Sequence, residues 1–194
     1  FRTDIGIYRG NLEQAHQTWK NIVPSDLDWQ RSLTIPLSID AKVALLLGFY
    51  WGNLVIGRGA FAHGQMISLC GNAYAFELYE DIIKPSIKQI HNLDAIVHRR
   101  MHNAKKSEEV YVPYGIDAAQ SARETPRIDI GSLAIVTWLT KELGFPVAKA
   151  NMPMPFPKDY KLWPDDVAYA FFRGIIASKG CIAIQASDGG KNEF

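Results

Sequence analysis

The chain has 194 residues, of which 47% are hydrophobic and 11% aromatic, so it can bury a substantial core as one large domain or two fused halves. Its 21 Lys and Arg residues nearly balance 20 Asp and Glu, and this net charge of +1 neither requires nor excludes nucleic-acid binding. The longest apolar stretch, Val43 to Gly57, is shorter than the ~18 apolar residues of a membrane helix, so we expect no membrane span. Two cysteines, Cys70 and Cys181, are too few for a disulfide framework and indicate an intracellular, reducing compartment, either the cytoplasm or an organelle.

Helical and strand-like segments alternate through the first half of the chain. Residues 12–23 have the apolar spacing of a helix, residues 25–29 suit a turn and a short helical piece, and TIPLS (34–38) is typical of a linker. From residue 40 to 54 the apolar residues run nearly all round, which predicts a buried helix with Ser38 or Asp40 as its N-cap. Residues 58–70 suit strands, and residues 72–84 predict a helix that Pro85 bends or ends.

The remaining segments continue this alternation. DAIVHRRMH (94–102) and EEVYVPYG (108–115) predict a β-hairpin, and residues 116–126 are typical of a polar loop. RIDIGS (127–132) predicts a strand, after which Ser132 caps a helix that ends at Gly144. A proline-rich connector then leads to a second buried helix, Asp165 to Ser178, whose first turn carries the acids that a helix N-terminus favours.

The two buried helices share a spacing of small residues. Gly48 and Gly52 lie four residues apart in the first helix, and Gly174 and Ser178 lie four apart in the second. Residues four apart share one helix face, and small side chains there let a second backbone approach closely. Ordinary core helices contain such pairs by chance, but the position of these two at the starts of comparable modules predicts that they pack together.

These segments together resemble the LAGLIDADG homing endonuclease family. The likeness runs from LTIPLSIDAKVALLLGFYWGN to the C-terminus, and it is more specific in RIDIGSLAIVTWLTKELGFPVAKANMPMPFPKDY followed by WPDDVAYAFFRGIIASKG. It implies an α+β fold made of a pseudo-twofold pair of αββαββα repeats, with two central packed helices and saddle-shaped antiparallel sheets over DNA. We therefore expect an N-terminal helical extension (1–36), a first repeat (37–125) and a second, shorter repeat (126–194).

The residues at the ends of the two signature helices depart from the family pattern. In the family, an acidic residue ends each helix and holds a divalent metal at the scissile phosphates, whereas the corresponding positions here are Asn53 and Lys179. A protonated lysine repels Mg²⁺ and an amide is a weak ligand, while metal-dependent phosphodiester cleavage relies on carboxylates. His98 and His102 are a poor alternative pair because positions four apart on a strand lie ~13 Å apart. The sequence thus predicts no catalytic residue, no metal, no cofactor and no enzymatic activity.

Nucleic-acid binding is the activity that the resemblance leaves. The family saddle favours double-stranded DNA as partner, and the basic segment HRRMHNAKK (98–106) would lie on that saddle. RNA binding, as in the family's maturases or in a larger ribonucleoprotein assembly, is a second hypothesis, with Tyr111 and Tyr114 available for base stacking. A protein-interaction scaffold is a third, favoured by the near-neutral charge. The residues predicted to contact nucleic acid are Arg99, Arg100, Lys105, Lys106 and Lys179; for Lys179, reaching from a buried helix to solvent is an equal alternative.

Overall fold

The computed structural model describes residues 9–58, 65–71, 75–101, 124–145 and 156–179. Short elements come first, and a long helix opens the main body. The elements in chain order are β1 (Arg9–Gly10), α1 (Leu12–Thr18), α2 (Asp26–Gln30), β2 (Ile35–Pro36), α3 (Ala41–Asn53), β3 (Leu54–Arg58), β4 (Gln65–Cys70), a π-helical segment (Leu78–Ile83) continued by α4 (Lys84–His91), β5 (His98–Met101), β6 (Glu124–Gly131), α5 (Leu133–Thr137) continued by a π-helical segment (Trp138–Glu142), a 3₁₀ turn (Tyr160–Leu162) and α6 (Asp165–Lys179).

The predicted buried helix over residues 40–54 is confirmed as α3. The Asp40 carboxylate accepts a hydrogen bond from the Val43 backbone N–H at 2.9 Å, which is the capping contact that a helix start requires. Side chains around most of the helix circumference are almost fully buried: Val43, Ala44, Leu46, Leu47, Phe49 and Tyr50. A helix that is apolar on nearly all sides needs neighbours on nearly all sides, and α3 accordingly lies at the centre of the hydrophobic core.

The main sheet is antiparallel, with its strands in the order β3-β4-β6-β5. Alternate residues of a strand point to opposite sides, and here Ile67 and Leu69 of β4 and Ile128 and Ile130 of β6 join the buried core. The other side of the sheet carries Ser68, Arg127 and Asp129 together with apolar residues such as Met66. One side of the sheet therefore packs on helices, and the predicted α+β class is confirmed.

The strand β6 ties the two predicted repeats into one sheet. Its residues pair with β4 on one side, with Ile128 opposite Leu69, and with β5 on the other, with Arg127 opposite His98. The predicted division between residues 125 and 126 falls inside this strand. Residues 124–126, predicted as the end of a loop, are strand as well. Among the described strands, β5 pairs with β6; residues 108–115, its predicted hairpin partner, lie outside the described residues.

The helix predicted to bend or end at Pro85 does not end there, because a π-helical segment runs up to Ile83 and α4 continues to His91. A π turn changes the hydrogen-bond pattern just where the proline lacks an N–H, and proline is tolerated in the first turn of a helix. The TIPLS segment is not a free linker, since Ile35 and Pro36 form β2 and pair with β1.

The N-terminal segment is joined to the helix that follows the sheet. Asp28 is buried, and its carboxylate accepts hydrogen bonds from the Ser25 N–H and hydroxyl at 2.8 Å and from the Ala134 N–H at 3.1 Å. The Val23 N–H also donates to the hydroxyl of Thr137 at 2.9 Å. A carboxylate at the first turn of α5 is favourable because unpaired N–H groups concentrate there. The predicted helical extension thus packs as part of the core rather than apart from it.

Candidate nucleic-acid interface

The helices α3 and α6 cross in direct backbone contact at Gly48 and Gly174. A methyl carbon placed on Gly48 would lie 2.8 Å from the Gly174 Cα and would overlap the carbonyl oxygen of Phe171. A methyl carbon on Gly174 would lie 2.9 Å from the Gly48 Cα and would overlap the carbonyl oxygen of Leu45. Carbon atoms at such distances collide, so this crossing requires glycine on both helices.

The crossing has an internal symmetry that the sequence alone does not reveal. Gly48 faces Phe171, Gly174 and Ile175, while Gly174 faces Leu45, Gly48 and Phe49. The two sets are related by one shift of 126 residues, because 174 − 48, 171 − 45 and 175 − 49 all equal 126. Exchange of equivalent residues across a contact is the signature of a twofold relationship. At this point α3 and α6 therefore meet as equivalents.

The same shift relates the ends of the two helices. Asn53 is the last residue of α3 and Lys179 the last of α6, and each stands five residues after its crossing glycine (53 − 48 and 179 − 174). At 1.5 Å per residue, both ends lie ~7.5 Å along the helix from the crossing. Gly52 is buried, and Ser178 is half-buried with its hydroxyl donating to the Ile175 carbonyl oxygen of its own helix at 2.9 Å. Across the described ranges, no group of three or more His, Cys, Asp or Glu side chains could hold a metal ion.

Equivalent residues on the two helices differ in their solvent exposure. Tyr169, Phe172 and Ile176 of α6 are 71%, 38% and 65% exposed, and they form one stripe at i, i+3 and i+7. A shift of 126 residues maps them onto Val43, Leu46 and Tyr50 of α3, which are at most 2% exposed. The main sheet and its helices cover α3, whereas this stripe of α6 faces solvent.

A network of three polar side chains occupies the non-helical side of the main sheet. Asp129 accepts hydrogen bonds from the Ser68 hydroxyl at 2.6 Å and from the Arg127 Nε–H at 2.8 Å, and an Arg127 Nη2–H donates to the Ser68 oxygen at 3.1 Å. The Asp129 carboxylate raises the pKa of Arg127 above its usual range, so the guanidinium keeps its charge. With Cys70 and His98, whose register places them beside Arg127, these residues define what we call the polar face.

The polar face was not among the predicted sites, although the sequence carries a signal for it. In RIDIG, Arg127 and Asp129 alternate with Ile128 and Ile130, and alternation with period two places the two charged residues on one side of a strand. Both charged side chains are a little over one quarter exposed, at 27% and 28%, so they are held in place yet accessible. A fixed and accessible guanidinium can donate to a phosphate or to a base edge.

The basic residues predicted from the sequence separate onto two sides. Arg99 lies opposite Pro126, on the helical side of the sheet, with its guanidinium 5.0 Å from the centre of the Phe76 ring. Glu77 and Glu80 line the same shallow pocket as Arg99, so acids surround this cation. Arg100 lies opposite Thr125, at a strand position on the same side of the sheet as Arg127 and the polar face. Neighbouring strand positions alternate in this way, so Arg99 and Arg100 fall at positions on opposite sides of the sheet.

The other predicted contacts fall outside the parts of the chain that the structure describes. They are Lys105 and Lys106, together with His102, Tyr111 and Tyr114. For Lys179 the structure gives only its place as the last residue of α6.

Comparison with known proteins adds no family to this geometry. No protein-family model matches the sequence, and no curated protein matches it significantly. Across the described residues, every helix is too short or too polar to span a bilayer.

Proposed function

We propose that the chain is a LAGLIDADG-like protein that binds double-stranded DNA through the polar face of its main sheet and does not cleave it. The observation that carries the proposal is the crossing of α3 and α6 at Gly48 and Gly174, with its exchange of equivalent contacts. Two signature helices packed through small residues about a pseudo-twofold axis are what the resemblance implies. The crossing is supporting geometry that the sequence spacing alone could only suggest.

The order of elements gives further support. From α3 to Glu142 the elements in the described residues are a helix, two strands, a helix, two strands and a helix, which is the order that the resemblance implies for one repeat. In this proposal the first repeat therefore extends to the helix that ends at Glu142, and α6 opens the second. This division keeps β6 with the strands to which it is hydrogen-bonded.

The polar face suits a nucleic-acid surface in its chemistry. A β-sheet or ribbon fits the major groove of B-DNA, where arginine donates two hydrogen bonds to guanine and where backbone phosphates line both edges. Arg127 is the described cation best placed for this role, because Asp129 and Ser68 fix its orientation while part of it stays exposed. The position of Arg100 is on the same side of the sheet. Arg99 is a weaker candidate, since it lies on the helical side of the sheet, over the Phe76 ring and in a pocket that Glu77 and Glu80 also line.

The absence of cleavage follows from the residues at the helix ends. Asn53 and Lys179 stand where the family places its metal-binding carboxylates, at equal distances from the crossing. Two unit charges of the same sign ~4 Å apart repel by ~4 kcal/mol at an effective dielectric constant of about 20, so an ammonium there opposes Mg²⁺. We expect no Mg²⁺- or Mn²⁺-dependent nicking of plasmid DNA. Metal-dependent cuts that disappear in Asn53→Ala would show that the protein is a nuclease.

A gel-shift titration with matched arginine variants tests the binding. The wild-type chain and the Arg127→Ala and Arg99→Ala variants are titrated with random duplex DNA, structured RNA and single strands at two salt concentrations. We expect Arg127→Ala to weaken duplex binding about tenfold and to lower the salt slope by ~0.9, as the loss of one phosphate contact does, while Arg99→Ala changes either little. Both substitutions leave a strand residue on the same sheet, so Arg99→Ala controls for structural damage.

The other outcomes separate the alternatives. Preference for structured RNA in the wild-type chain would favour the maturase-like hypothesis. No binding to any probe at low salt would favour a protein-interaction scaffold. Equal loss of duplex binding in both variants would remove the polar face from the interface.

A further inference from the structure

Three polar atoms lie unpaired in the core, within one cluster of aromatic rings. They are the Tyr50 hydroxyl, the Nε2 atom of His91 and the Nε1 atom of Trp138, and none of them has a hydrogen-bond partner among the described residues. His91 stands between the other two, with its ring centre 6.2 Å from that of Tyr50 and 5.9 Å from that of Trp138. All three residues are at most 1% exposed. The cluster joins α3, α4 and the π-helical segment that follows α5.

The hydrogen-bonding role of each atom follows from its chemistry. The Nδ1 atom of His91 lies 3.2 Å from the carbonyl oxygen of Thr34, and because a carbonyl can only accept, Nδ1 carries the proton. The Nε2 atom of this neutral ring is therefore an acceptor. The indole N–H of Trp138 can only donate, and the phenol of Tyr50 donates one hydrogen and can also accept. The cluster thus combines one acceptor with two donors.

We propose that one water molecule is enclosed in this cluster, donating to His91 Nε2 and accepting from the Trp138 N–H and the Tyr50 O–H. A buried polar group without a partner is costly, and here three such groups belong to neighbouring rings of one cluster. Buried waters typically make about three hydrogen bonds to otherwise unpaired groups, with both donor and acceptor sites on the water. The three atoms provide three such partners, of which one is an acceptor and two are donors. The site is independent of the DNA-binding proposal, because it lies on the core side of α3.

Nuclear magnetic resonance distinguishes this site from direct bonds between the rings. In the full chain labelled with ¹⁵N, we expect the Trp138 indole hydrogen to show a cross-peak to a slowly exchanging water. We also expect no scalar coupling across a hydrogen bond between Trp138 Nε1 and His91 Nε2. Detection of that coupling, or absence of the water cross-peak, would overturn the proposal. Trp19 is the internal reference, because its indole N–H donates directly to the Pro36 carbonyl oxygen at 2.6 Å.

A conservative variant gives a second and independent readout. Tyr50→Phe removes one hydroxyl and keeps the ring, so the variant retains most of the core packing. We expect the ¹⁵N shift of His91 Nε2 to stay that of a hydrogen-bonded acceptor, with the water cross-peak at Trp138 retained. A shift to that of a free acceptor, with the cross-peak retained, would show that Tyr50 itself occupied Nε2 and would overturn the proposed arrangement. A crystal structure at high resolution should show one ordered water within hydrogen-bond distance of Nε2.

Discussion

Acidification should destabilise the protein through His91 before its surface groups have much effect. Burial lowers the pKa of His91 from 6.5 to about 4, and the hydrogen bond to the Thr34 carbonyl oxygen only partly opposes this. The side chains that face the ring, Tyr50 and Trp138, carry no negative charge that would offset the cost of burying an imidazolium. The unfolded chain therefore binds this proton more readily than the folded chain does.

The sign and the size of the effect follow from the two pKa values. The stability that neutral His91 contributes is fully present above pH 6.5 and is lost as the pH falls from 6.5 towards 4. A difference of 6.5 − 4 = 2.5 in pKa, at 1.36 kcal/mol for each unit, corresponds to a maximum loss of about 3 kcal/mol. That is a large part of the 5–15 kcal/mol by which domains are typically stable.

Urea denaturation at a series of pH values between 4 and 7.5 measures the loss. We expect the free energy of unfolding to fall by about 2 kcal/mol between pH 7 and pH 5, and His91→Phe to flatten this slope. His16→Asn, which replaces an exposed histidine in α1, should keep the wild-type slope. If the His91 ring titrates near 6.5 in the folded chain, or if the slope survives His91→Phe, the reasoning from burial is wrong.

Two further predictions concern the helix crossing and the buried carboxylate. Gly48→Ala or Gly174→Ala should each lower the free energy of unfolding by about 3 kcal/mol, because the added methyl group meets backbone atoms. Gly131→Ala should change it little, because its methyl group would have nothing within 4 Å. Equal melting temperatures for all three variants would exclude the close crossing. Asp28→Ala should lower the free energy of unfolding by about 3 kcal/mol, because it leaves buried N–H groups unpaired. Asp26→Ala, on the exposed side of α2, should lower it by under about 1 kcal/mol. Similar urea midpoints for both variants would show that the Asp28 carboxylate does not link α2 to α5.

Local patterns in the sequence predicted the helices better than they predicted the sheet. Ser132 and Asp40 were recognisable as N-caps, and Gly144 as a helix end, because capping depends on residues only a few positions apart; Gly144 has φ of +74°, as such an end requires. The pairing of β5 with β6 was not predictable, since residues 102–123 separate the two strands in the chain. Strand register depends on which apolar faces meet in the core, and no local pattern encodes that choice.

In the candidate site, too, patterns within one element were predictable from the sequence, whereas contacts between elements were not. The spacing of small residues pointed to Gly48 and Gly174, but the exchange of equivalent contacts needed both helices in place. Arg127 was overlooked because it stood apart from the more conspicuous basic run, and its setting became clear only when β6 brought Asp129 beside Ser68 of another strand. The cluster of Tyr50 with His91 had no signal at all, as the two lie 41 residues apart (91 − 50).

The exposed stripe of α6 has a consequence for the behaviour of the protein in solution. Tyr169, Phe172 and Ile176 present a band of aromatic and aliphatic surface on a chain whose net charge is only +1, so long-range repulsion between molecules is weak. Such a surface favours attraction between molecules at close range, and colloidal stability should therefore fall as protein concentration rises. Ile176→Lys would place a charge in this band, and it should extend the concentration range over which light scattering reports dispersed particles.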